Sequence, residues 1–426
     1  MSLVPAVPDR RSVRSWLLYD LANTVFALGV VGLYLPDWLT ALDRPDSALA
    51  AVEATVGVIV VFLAPWVGAR SDVLGNRVTT LFRTTLLAVA GTALIATWPP
   101  VPSLIFVGIA LVGFNVGSVV YDALLVDVST PANRGRISGL GVGIGYIGSY
   151  VGLAIGVLTL DVLDWSYAAT FRSLAVAFLI FSIPAFLFIR EGPGRPDAPL
   201  PGVRDVISQL IKSWRLASRY DGMTRFLVGR FLYTDAINTL IGGFLAIFVI
   251  EELGMERRFV TALLGVAITA AIVGGIGAGL VVERHGPGRV LSWVLVLWMI
   301  GIGSGVLAAI SGQTWLTWGI GTLGGIALGA TWASDRVMMT RVSPPRHLGQ
   351  FYGLYATVGR FATILGPLAW AFIVDGLGFP RTVAMTALLA FVVGGWVMIR
   401  GVDDGHRSWG PEDLVIVSET PDAPRK

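Results

Sequence analysis

The sequence predicts an all-α integral membrane protein: twelve transmembrane helices in two six-helix bundles related by pseudo-twofold symmetry. Three observations predict this. Only 14% of the 426 residues are charged and 54% are hydrophobic, whereas an ordinary soluble domain carries about 25% charge. Twelve apolar runs each reach the ~20 residues that a spanning helix needs. Three polar motifs recur in the two halves of the chain at offsets of 215, 211 and 213 residues.

The spans fall near residues 14–40, 50–69, 78–98, 102–126, 137–160 and 166–190, then 223–250, 259–282, 289–311, 314–340, 349–374 and 379–400. This organises the chain as an N-terminal bundle (1–190), a cytoplasmic linker (191–222), a C-terminal bundle (223–400) and a polar cytoplasmic tail (401–426). Arg10, Arg11 and Arg14 precede the first run. That run is too long for a signal-peptide core and lacks a small-residue cleavage site, so it reads as an uncleaved helix. Trp38, Trp98 and Trp165 stand at span ends, where an amphipathic ring anchors at the membrane interface.

Orientation follows from the basic residues. With the N-terminus inside, 23 of the 31 Lys and Arg fall on the cytoplasmic side. Four fall on the opposite side: Arg44, Arg257, Arg258 and Arg381. Arg172, Arg230, Arg336 and Arg360 lie within spans. This asymmetry places both termini in the cytoplasm. The excess of Arg (29) over Lys (2) looks like a GC-rich coding bias and suggests a bacterial plasma membrane. The net charge of +3 reports these loops and does not point to nucleic acid.

The repeats define the halves. Asp20-x-x-Asn23-Thr24 in the first span recurs as Asp235-x-x-Asn238-Thr239 in the seventh. Gly68-x3-Asp72-x2-Gly75-x-Arg77 recurs as Gly279-x3-Glu283-x2-Gly286-x2-Arg289. Asp122 with Pro131 recurs as Asp335 with Pro344. Six spans per half is an even number, so the repeats are parallel. Such repeats place a substrate site near mid-bilayer at the interface of the halves.

A charge inside a bilayer costs roughly 2.5–3.5 kcal/mol on insertion scales, so it faces a cavity or a partner. Asp20, Asn23 and Thr24 share one helical face beside Tyr19. Asp235, Asn238 and Thr239, with Tyr233, repeat the set. These residues are candidates for a substrate or proton pathway. The alternative is a structural ion pair, with Arg14 reaching Asp20 and Arg230 reaching Asp235. Asp72 and Arg77 suit a charge latch in the turn after the second span. Asp122 and Asp335 suit interdomain locks with Arg336 and Arg360 as counter-ions, or one of them serves as a protonatable coupling carboxylate. The glycine run of the fifth span (Gly139, Gly141, Gly143, Gly145, Gly148) suits close helix packing, or a flexible gate.

There are no Cys, and His285, His347 and His406 all fall outside the spans. No HExxH and no Cys/His cluster occurs, so neither a metal nor a cofactor is expected. No GxxxxGK[ST] occurs, which disfavours ATP-driven transport. No catalytic constellation is evident, and the chain does not read as an enzyme.

The segments YDLANTVFA, GRFLYTDAINT, YDALLVDVS…GRISGLGVGIGYIG and DRVMMTRVSP…GQFYGLYATVGRFATILGP together resemble the Atg22-like branch of the major facilitator superfamily (MFS). The loop GARSDVLGNR is similar to the superfamily's signature after its second helix. The resemblance implies the MFS fold, alternating access and a monomer. It also implies a small-molecule substrate, amino-acid efflux being the activity of the branch's fungal vacuolar members. Tyr19, Asp20, Ala22, Asn23 and Thr24 meet one family block; Phe351, Tyr352 and Gly353 meet another. Asp122, Trp332, Asp335 and Arg360 depart from the residues usual in the family.

The expected function is therefore secondary active transport of a small solute, with proton coupling and amino-acid efflux as the finer expectation. Drug-like or sugar cargo is the alternative within that class. A membrane sensor or scaffold on a transporter fold is the alternative outside it.

Overall fold

A computed structural model describes residues 9–130, 133–192, 194, 199–403 and 405. Pro131, His406 and almost all of the tail lie outside the described residues. Its regular secondary structure is helical, with no strand among the described residues.

The N-terminal half holds six long helices. α1 runs Arg10–Ala41, started by the Asp9 carboxylate, which accepts from the Arg11 N–H. α2 runs Asp46–Leu74 and stops at Gly75, whose φ of 60° favours a residue without a Cβ. α3 runs Arg77–Leu94 and α4 runs Pro100–Leu124. α5 covers Arg134–Gly156 and continues through Val157–Val162. α6 runs Tyr167–Phe188, capped by the Ser166 hydroxyl.

α7, Val203–Ala217, is a shorter helix in the segment that joins the halves. The second half repeats the first. α8 runs Met223–Glu252, α9 Arg257–His285 and α10 Pro287–Ser311. α11 begins at Thr314 and ends with Gly325–Val342. α12 is broken: Leu348–Phe361 is followed by Leu365–Ala371 and a last turn at Phe372–Gly376. α13 runs Arg381–Ile399.

Among the described residues, twelve of these thirteen helices thus match the twelve predicted spans. Ten are long and apolar enough to cross a membrane on length and composition alone. The other two are diluted, α3 by Arg77 and Arg83, α11 by its Gly, Thr and Trp residues. Large apolar side chains such as Val176, Ile180 and Leu187 on α6 point outward. A bilayer tolerates that surface because each helix satisfies its own backbone.

The packing repeats as well. α1 packs on α5 and α6, α2 on α4, and α3 on α4 and α6. In the second half α8 packs on α12 and α13, α9 on α11, and α10 on α11 and α13. The halves meet along three contacts: α1 with α8 at the centre, α2 with α12 on one side, and α5 with α9 on the other.

Small residues set the closest approaches. A Cβ added at Gly113 of α4 would lie 2.7 Å from the Ala88 nitrogen of α3, and one at Gly91 of α3 would lie 2.7 Å from the Ala110 nitrogen. In the fifth span, Gly141, Gly145, Gly148 and Gly152 face α1, whereas Gly143 faces open space. This supports packing for most of that glycine run.

Wide, π-type turns occur at matching places. They cover Val25–Tyr34 of α1 and Leu240–Phe244 of α8, and Val157–Val162 of α5 and Phe372–Gly376 of α12. Such turns loosen the backbone ladder and often mark functional positions. Gly243, at φ 113°, sits in the α8 turn.

One expectation needs correction. Trp98 and Trp165 are about half exposed, as interface anchors are, but Trp38 is buried and packs edge-on against Phe171. Its ring fills the core of the half instead. The joining segment holds a helix of its own: α7 packs against both α2 and α12. Its buried Ser213 hydroxyl accepts from the Gln350 amide at 2.9 Å.

Candidate functional site

The interface between the halves encloses a cavity of about 430 Å³. Both halves line it. Its walls are mostly apolar, with Phe114, Leu111, Leu264 and Trp298 among them. Among the described residues, the only charged side chains in the lining are Glu53 of α2 and Arg360 of α12. Asn115, Tyr146, Ser149, Asn238, Thr239 and Thr363 add polar groups. A mostly apolar chamber with a few placed polar groups is the usual form of a small-molecule site.

Glu53 was not singled out in the sequence. Its carboxylate faces the wide turn of α8 across the interface: a Cβ added at Gly242 would lie 2.8 Å from Glu53 Oε1. The legible signal was a lone acid inside an apolar run. Arg360 Nη1 donates to the Asn115 carbonyl at 3.3 Å, and its Nη2 lies 3.8 Å from Asp122 Oδ2. Both contacts cross between the halves.

The first-span set sits just outside this chamber. Asp20 faces the glycine stripe of α5, where a Cβ at Gly145 would lie 2.8 Å from its Oδ2. The Thr24 hydroxyl donates to carbonyls in the same region, including that of Gly145. Asn23 is buried. The Tyr19 hydroxyl pairs with Thr85 at 2.7 Å, and its ring stacks on Tyr121.

The seventh-span set is tied to the break in α12. Asn238 Nδ2 donates to the Ala362 carbonyl at 2.6 Å, a group that the break leaves without a helical partner. Thr239 donates to the Asp235 carbonyl at 2.7 Å. The fully buried Asp235 carboxylate lies at the start of the second α12 segment, beside the N–H groups of Ile364, Leu365 and Gly366, none of them aligned for a hydrogen bond. A helix N-terminus favours a carboxylate there. Of the eight pathway candidates, only Asn238 and Thr239 line the chamber.

The predicted locks separate into two kinds. Arg230 does not pair with Asp235. Its Nε lies 3.2 Å from Asp335 Oδ2, and its guanidinium sits 3.6 Å over the Tyr355 ring. Asp335 also accepts from Tyr355 at 2.8 Å and from Tyr233 at 3.4 Å. This cluster is wholly within the second half, so it does not bridge the halves. Asp72 and Arg77 likewise pair within the first half, at 2.7 Å, and Arg77 continues to Asp127 at 2.7 Å. Nearby, Glu191 accepts from the Val78 N–H at 3.0 Å. Burial pushes the Glu191 carboxyl up, and the N–H donors of Val78 and Arg77 oppose it. The contacts that do cross between halves at this end are Arg360 with Asp122 and the Arg336 guanidinium with the Ser138 hydroxyl at 3.5 Å.

The stronger cross-half contacts lie at the other end, away from the chain termini. Arg257 Nη1 is 3.3 Å from Asp37, and its Nη2 pairs with Asp161. Tyr167 donates to Asp37 at 2.7 Å and accepts from Arg257 at 3.3 Å. Arg381 binds Asp46 through two N–H groups, each at 2.9 Å, and Trp370 donates to the same carboxylate at 2.7 Å. Two-point Arg–carboxylate pairs fix geometry as well as charge. In both clamps the second half supplies the arginine and the first half the acids. Arg257 and Arg381 are two of the four basic residues that break the charge bias of the loops, and that rarity was the signal available in the sequence.

Comparison with known proteins agrees with this architecture. The family model described as vacuole effluxer Atg22 like matches residues 125–407. An uncharacterised MFS-type transporter, YxiO of Bacillus subtilis, is 26% identical over 402 residues, covering 89% of this chain and 92% of its own. Autophagy-related protein 22-2 of Aspergillus clavatus is 28% identical over 272 residues, which cover 57% of this chain and 44% of the fungal one. The nucleoside transporter NupG superposes with a TM-score of 0.71 at 12% identity, covering 92% of this chain and all of its own. A bacterial homologue of the lysosomal transporter Spinster, in an inward-facing and unoccupied conformation, gives 0.67 at 14% identity, covering 94% and 98%. The chain is an integral membrane protein of the MFS type and belongs to the Atg22-like vacuole effluxer family.

Proposed function

We propose that this protein is a secondary transporter of a small amphipathic solute, amino-acid or peptide-like in class, working by alternating access. The observation that carries this reading is the chamber itself. Both halves line it, and among the described residues its only charged lining groups are one acid and one guanidinium, set in apolar walls. A guanidinium suits a solute carboxylate, and the apolar walls suit a hydrocarbon or aromatic side chain. The two clamps at the far end supply contacts that must break for the opposite opening, and the contacts at the terminal end are fewer and longer. The positive-inside asymmetry supports cytoplasmic termini in a bacterial plasma membrane. The clamped end is then the external one.

The division of the chain at 191–222 follows from the same reading, with two bundles that rock about the interface and α7 lying across it. Proton coupling belongs to the reading too, since carboxylates within the spans supply groups to carry it. The test is uptake of mixed labelled amino acids into proteoliposomes under an imposed proton gradient. Accumulation that collapses with the gradient supports coupled transport. Folded protein that moves no amino acid directs the search to other solutes, and a protein that moves none of them is a sensor or scaffold.

A further inference from the structure

Glu53 is set apart from the other acids of the spans by where it stands. It lines the central chamber, yet it makes no hydrogen bond or ion pair among the described residues. Asp20 also lacks an ion pair among the described residues, but it lies outside the chamber, against Gly145 of its own half. Asp37, Asp46 and Asp161 hold arginines, Asp335 holds Arg230, and Asp235 faces a helix N-terminus. An anion without a counter-ion inside a bilayer is costly, so a proton or another cation is the natural neutraliser.

Its position adds the second half of the argument. The Glu53 carboxylate belongs to α2, and the backbone against it belongs to α8 of the other half, at Gly242. Gly242 lies in a wide turn next to the positive-φ residue Gly243. Any motion that parts α2 from α8 therefore uncovers this carboxylate, and any motion that closes them covers it. The charged and titratable groups that face it are Asp235 from α8, Arg360 from α12 and Tyr146 from α5. Arg360 is within salt-bridge range of Asp122, not of Glu53.

We propose that Glu53 carries the coupled proton, binding it while Gly242 covers the carboxylate and releasing it when the two halves part there. The proton adds to a carboxylate oxygen from water on one side and leaves to water on the other, with no other bond made or broken. This rests on the alternating-access reading above.

The chain contains no cysteine, so one introduced thiol reports without background. Leu245→Cys places it in the chamber wall, between Gly242 and the clamped end. The experiment measures its labelling by a membrane-impermeant thiol reagent added outside right-side-out vesicles of the full chain. The readout is the rate with Glu53 divided by the rate with Glu53→Gln. Thiolate formation accelerates both alike and cancels. The ratio is expected to rise about tenfold from about pH 5 to about pH 8, which is about 1.4 kcal/mol of differential stabilisation. A ratio that does not change with pH overturns the proposal.

Two further variants keep the result decisive. Glu53→Asp retains a titrating group in a shorter side chain and is expected to keep the pH dependence with a moved midpoint. A midpoint identical to the unsubstituted protein overturns the proposal even if Glu53→Gln fails to fold. Asp37→Asn with Asp161→Asn releases one clamp and is expected to raise outside labelling at every pH. If that variant stays unlabelled, alternating access itself fails, and the assignment of Glu53 falls with it.

Discussion

Arg257, at the start of α9, is held between Asp37 and Asp161 of the opposite half. One guanidinium joins the ends of α1 and α5 to the second bundle. Arg381 repeats the device on Asp46, at the start of α2. Together they tie both sides of the interface at one end of the molecule.

Breaking these ties is expected to shift the balance of conformations. Arg257→Ala combined with Arg381→Ala should raise labelling of Leu245→Cys from the clamped side by about tenfold, since each lost pair removes stabilisation from one state only. Substitution of Arg258, which is largely exposed and only 3.9 Å from Asp161, should change labelling little. Equal effects from both substitutions would show that net charge, not the pairing, is being read.

The Arg230–Asp335 pair is expected to govern stability and not the interface. Removing one partner strands the other charge in a site that is fully buried for Asp335 and 5% exposed for Arg230. Asp335→Ala should cost about 3–5 kcal/mol, and replacing both partners with apolar residues of similar volume should recover most of it. Unfolding of the purified protein measures this. A single variant as stable as the unsubstituted chain would show that the pair is not held as described.

Arg360 is expected to bind solute through its guanidinium. For a transported amino acid, Arg360→Gln should raise KM by about 10–100-fold with kcat little changed, as the loss of a charged hydrogen bond of about 1.5–3 kcal/mol implies. The same substitution should leave an amine lacking the carboxylate unaffected. Uptake kinetics with the paired solutes make the comparison, and equal losses for both would assign Arg360 to the interface contact with Asp122 alone.

Glycine positions offer a packing test with an internal control. Gly113→Val should destabilise α3 against α4, because its Cβ meets backbone atoms 2.7 Å away. Overpacking of this kind typically costs about 1–3 kcal/mol. Gly143→Ala has open space and should be tolerated. Thermal unfolding of both variants decides; a destabilised Gly143→Ala would show that a second surface covers α5.

The helices and their pairing into halves were legible in the residues. The Asp20 and Asp235 motifs mark α1 and α8, which meet at the centre of the interface. The chamber was legible only in part. Asn238, Thr239 and Arg360 were marked by their type and place, and all three line it. Glu53 was passed over because no motif surrounds it, and the α8 turn that faces it lies some 190 residues further along the chain. The sequence placed locks at the end bearing the termini, where conspicuous charges cluster. The firmer pairs lie at the other end, where Asp37, Asp46 and Asp161 are isolated acids with no local pattern.

What the sequence determined by itself was the number of spans, their repeat and the side on which positive charge collects. Each depends on local hydropathy, on spacing or on counting, and a bilayer converts those directly into helices and orientation. What only the tertiary structure decided was which charges meet. Successive residues on a helix point about 100° apart, so Arg230 and Asp235, five residues apart on α8, face different ways, and the rotations of α8 and α11 bring Asp335 to Arg230. Those rotations are set by side-chain packing between helices distant in the chain. The same packing brings Glu53 against Gly242 of the other half.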